Sequence, residues 1–68
     1  MTLEEKAGTL AGKVWEYLNA TDSANEKEIM KGIKVRRATE FYLAIGWLLR
    51  EGKLEVFGTE EAPVFKLK

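Results

Sequence analysis

Leu3, Ala7, Leu10, Val14, Tyr17 and Leu18 recur three or four positions apart, with charged and polar residues between them. That spacing lays them along one stripe of a helix. Thr2 followed by Glu5 is a capping-box pattern, which starts the helix near Leu3. Residues 20–23, Ala-Thr-Asp-Ser, read as a loop, so the helix should end near Asn19.

Ser23 and Glu26 repeat the capping-box pattern. A short second helix should follow, burying Ile29, Ile33 and Met30. Gly32 within it is either a left-handed cap or a small residue where another helix crosses. Val35 then reads as an apolar anchor in a tight turn. A third helix is expected from about residue 38 to residue 51, with Phe41, Ala44, Ile45, Leu48 and Leu49 inward. Gly52 stands where a C-terminal glycine cap belongs, and Arg50 and Lys53 suit the negative end of the helix dipole.

After Gly52 the period changes to two. Leu54 and Val56 alternate with Glu55 and Phe57, and Phe65 and Leu67 alternate with Lys66 and Lys68. The turn-rich residues 58–63 lie between them, so the tail predicts a β-hairpin. One core should hold Leu10, Val14, Ile29, Phe41, Ile45 and Leu48.

The order is helix, short helix, tight turn, helix, hairpin, and the turn defines a helix-turn-helix. With the hairpin appended, "EIMKGIKV…YLAIGWLLREGKLEV" over residues 28–56 resembles the winged-helix fold. "AGKVWEYLN" at residues 11–19 and "LAIGWLLREGK" at 43–53 are similar to a family of small bacterial stand-alone winged helix-turn-helix proteins of unknown function. The resemblance spans nearly the whole chain. It implies a mainly helical α+β fold, a three-helix bundle with a C-terminal two-stranded wing, and it carries no activity with it.

Composition narrows the field. Sixty-eight residues make one domain, residues 1–68. Cysteine and histidine are absent, which removes disulfides, thiol nucleophiles and the usual zinc ligands. Neither metal nor cofactor is expected. Glu4-Glu5 and Glu60-Glu61 sit near expected element ends, where adjacent carboxylates are normally solvated, so an enzyme is not expected. No stretch is long and apolar enough for a membrane span or signal peptide, which makes the cytoplasm the expected compartment.

The formal net charge is +0, yet it is uneven: residues 33–54 carry +3, residues 1–32 carry −2 and residues 55–68 carry −1. In winged-helix DNA binders the third helix enters the major groove and a basic wing touches the backbone. Lys34, Arg36 and Arg37 stand where phosphate or base contacts would be made, with Thr39 and Tyr42 as supplements. Glu60 and Glu61 at the wing tip would repel phosphates. Weak, salt-sensitive binding is therefore the expectation for DNA.

The tryptophans raise an alternative. With Ile45 taken as the centre of the buried face, Trp47 falls about 160° away, beside Leu43 and Arg50. Gly8, Ala11, Gly12 and Trp15 likewise lie off the main stripe of the first helix. In one reading the hairpin folds over these faces and both rings join the core. In the other, Leu43 and Trp47, with Arg50, form a protein interface for a second copy or another partner.

Overall fold

The computed structural model describes residues 2–68, organised as α1 (Leu3–Thr21), β1 (Ser23–Asn25), α2 (Glu26–Gly32), α3 (Ala38–Arg50), β2 (Leu54–Gly58) and β3 (Pro63–Leu67). Thr2 caps α1, its Oγ1 accepting the Glu5 N–H at 3.1 Å. The helix runs two residues past the expected end. Thr21 donates its hydroxyl to the Tyr17 carbonyl at 2.9 Å, and the chain turns away only at Asp22, where φ is 76°.

Residues 23–25 are the first departure from the expected elements. They form a strand rather than a loop and a cap. Ser23, Ala24 and Asn25 pair antiparallel with Lys66, Phe65 and Val64. Because that pairing keeps residues 23–25 extended, α2 begins later than Ser23 would allow. Asn25 is the cap instead. Its Oδ1 accepts the Glu28 N–H at 2.9 Å while the Glu28 carboxylate accepts the Asn25 N–H at 3.0 Å.

The hairpin is therefore part of a three-stranded antiparallel sheet in the order β1-β3-β2. Its β2–β3 register sets Leu54 opposite Leu67, Val56 opposite Phe65 and Gly58 opposite Pro63. Phe65, on the central strand, is buried, and its ring meets Phe41 of α3 edge-to-face with centroids 5.5 Å apart. Such a pair contributes about 0.5–1.5 kcal/mol beyond the area it buries. Val14 and Leu18 of α1 and Ile29 of α2 complete the fully buried centre, and Leu10, Ile45, Leu48 and Leu54 surround it.

Two helices end in the same device. At the end of α3 the Gly52 N–H donates to the Leu49 carbonyl at 3.1 Å and the Lys53 N–H to the Leu48 carbonyl at 3.0 Å. With Gly52 at φ 70°, this is a Schellman motif. At the end of α2 the Lys34 N–H donates to the Lys31 carbonyl at 3.3 Å and the Val35 N–H to the Met30 carbonyl at 2.9 Å. Here the left-handed residue is Lys34, at φ 60°, and not Gly32. Gly32 is instead the small residue at a crossing: a Cβ there would strike the ring of Tyr17 on α1.

The face of α3 is rotated from the expectation. Phe41, Ala44, Ile45 and Leu48 are buried, but Leu49 is 47% exposed. The centre of the buried face lies between Phe41 and Leu48, not at Ile45. Trp47 then sits about 110° from that centre, on the flank turned toward α1. Its indole packs against the core beside Gly8, where a Cβ would stand 3.6 Å from the ring. The largest side chain does not point away from the protein. Trp15, by contrast, is 39% exposed.

Candidate nucleic-acid interface

The turn between α2 and α3 spans residues 33–37. Val35 is buried and pins its middle to the core, as expected of an anchor. Lys34, Arg36 and Arg37 on either side are exposed. A lysine at φ 60° costs more than a glycine would, because its Cβ crowds the backbone. The Schellman bonds hold it there, which fixes the side chain's point of departure.

Arg37 is the N-cap of α3, in extended conformation, and no side chain caps that end. The first N–H groups of α3 are thus open, at the end of the helix that carries partial positive charge. Glu40, the acidic residue of the first turn, is occupied elsewhere: its Oε1 accepts from Lys6 Nζ of α1. That is the one ion pair among the described residues. Lys34, Arg36 and Arg37 form none, so three cations and an uncapped helix start share one end of the molecule with no acid paired to them.

Thr39 lies exposed on the first turn of α3 beside this group. Tyr42, one turn on, is only partly available. Its hydroxyl donates to Glu26 Oε2 at 3.0 Å, tying α3 to the first residue of α2. Its ring stands edge-on to Phe41, with centroids 4.9 Å apart. Burial, and then the hydrogen bond and negative charge of Glu26, push the phenol pKa above its ordinary 10.0.

The outer face of α3 continues through Leu43, Gly46, Leu49 and Arg50, all exposed. Beyond Thr39 and Arg50 it offers few groups for base edges. The wing adds Phe57, half exposed and paired with Val64 on the side of the sheet away from the core. At the wing tip the Ala62 N–H donates to the carbonyl and the Oγ1 of Thr59, each at 3.2 Å, and Glu60 and Glu61 are exposed.

Of the residues singled out from the sequence, the structure gathers Lys34, Arg36, Arg37 and Thr39 at one end. It engages Tyr42 in a structural bond, sets Leu43 and Arg50 on the outer face of α3, and turns Trp47 toward α1. The sequence did not reveal the role of Lys6. It is 34 positions from Glu40, and only the packing of α1 on α3 brings the two together. No cluster of three metal-ligating side chains occurs among the described residues, and no helix among them is long and apolar enough to cross a membrane.

Three helices, a turn pinned between the second and third, and a wing on a three-stranded sheet are the parts of a winged helix-turn-helix. Residues 1–67 match the family described as Winged helix-turn-helix domain (DUF2582), and the chain belongs to that family. No curated protein matches it.

Proposed function

We propose that the domain binds nucleic acid as a regulator-type module, through the turn between α2 and α3. The observation that carries this is the set of three exposed, unpaired cations at the uncapped start of α3, with Glu40 already neutralised by Lys6. Backbone N–H groups at a helix start together with Lys and Arg side chains are what phosphate oxygens require. The outer face of α3 favours phosphate contact over base reading, since Leu43, Gly46 and Leu49 bring no hydrogen bonds to base edges. The acidic wing tip limits the footprint to few phosphates. Binding is accordingly weak, steeply salt-dependent and indifferent to sequence, and the role is recognition and not catalysis.

Anisotropy of a labelled duplex, measured across a salt series, tests this. Replacing Arg36 and Arg37 with Ala should flatten the log–log salt slope by about 0.9 for each phosphate that is no longer neutralised. Both side chains are exposed, so the fold is unaffected. Binding that persists unchanged in the double variant would remove the turn from the site.

A further inference from the structure

Gly46 is the one helical glycine on the outer face of α3, and nothing lies within 4 Å of the position its Cβ would take. Glycine weakens a helix interior, and no contact within the chain requires it there. Around it the face is apolar. Tyr42 is 43% exposed and Leu43 38%, on the N-terminal side. Leu49 and Arg50 lie on the C-terminal side. Leu3, 64% exposed, and Glu4 extend the patch from α1, lining the same depression as Leu43, Gly46 and Arg50.

The two halves of this face complement each other. One half offers Tyr42 and Leu43; the other offers Leu49 and Arg50. We infer that the partner of this face is a second copy of the chain, with the two α3 helices crossing antiparallel at Gly46 about a two-fold axis. Only a small residue lets two helix backbones approach closely at such a crossing. Helix rise places Tyr42 and Arg50 about 6 Å to either side of Gly46. The two-fold axis therefore sets each copy's Arg50 against the other's Tyr42 ring. It also sets each Leu43 against the other's Leu49. A self-complementary face of this kind closes after two copies. It involves fewer side chains than the roughly 20 a side of standard interfaces, so the dimer forms only at high concentration.

Sedimentation equilibrium of the full chain without nucleic acid tests this, over a series up to about 1 mM, the weak end of measurable affinity. The wild-type mass should climb from 7.7 kDa toward twice that value. Gly46→Gln adds a side chain into open space and strengthens the helix, so it should melt no lower than wild type and stay at the single-chain mass throughout. Leu43→Gln, a second exposed position, should also remain monomeric. The inference is overturned if the wild type holds its single-chain mass across the series, or if Gly46→Gln dimerises as the wild type does. Arg36→Ala/Arg37→Ala should dimerise normally, so failure here and failure of the nucleic-acid reading are separate results.

Discussion

Lys34 occupies a backbone position at which glycine would be relaxed. The left-handed conformation costs an L-residue about 1–2 kcal/mol, and Gly52 avoids that cost in the equivalent place at the end of α3. Replacing Lys34 with Gly should raise stability by about 1 kcal/mol, seen as a higher midpoint in chemical denaturation, while weakening duplex binding. Movement of both quantities in the same direction would show that the lysine side chain is not used at the turn. Tyr42 gives a second test at this scale. Its folded pKa lies above 10.0, first through burial and then through Glu26. The neutral phenol is therefore the form the fold favours. The associated stability is complete below pH 10.0 and is lost as pH rises through the folded pKa. Ultraviolet titration of tyrosinate should show a late ionisation that Tyr42→Phe removes and Glu26→Gln moves back toward the ordinary value.

At the scale of elements, the sequence located the three helices and the hairpin because each has a clear period and an end signal. What it could not supply was orientation and pairing. A short buried stretch such as Phe41, Ala44, Ile45, Leu48 and Leu49 is compatible with more than one centre. A shift of that centre from Ile45 toward Phe41 and Leu48 exposes Leu49 and brings Trp47 against α1. Strand β1 was invisible for another reason: Ser23, Ala24 and Asn25 have no preference for strand, and they become one only because β3 lies alongside. The basic turn was legible from local charge, whereas its freedom from acidic partners depended on the distant Lys6. The close approach at Gly32 is likewise a property of two elements. Adding a methyl group there forces the Tyr17 ring aside, so Gly32→Ala should destabilise the domain by about 1–3 kcal/mol, measurable by thermal melting. A neutral result would mean that the ring swings out freely.

For the whole molecule, the order β1-β3-β2 makes β3 the strand on which everything else depends. It alone has neighbours on both sides, and its Phe65 closes the core against Phe41. Phe65→Ala should cost about 3–5 kcal/mol, more than most substitutions in so small a domain can absorb. Circular dichroism should find that variant largely unfolded at ambient temperature. A cooperative melt near that of the wild type would relocate the centre of the core.

The central position of β3 also governs when the chain can fold during its own manufacture. Helices α1, α2 and α3 are made first, but residues 23–25 have no partner until residues 64–66 have emerged, some forty positions later. Closing so long a loop carries an entropic cost that must be met before the sheet returns any stability. A nascent chain stalled before Pro63 should therefore hold helices around an open, protease-sensitive core, and release of the next five residues should convert it in one cooperative step.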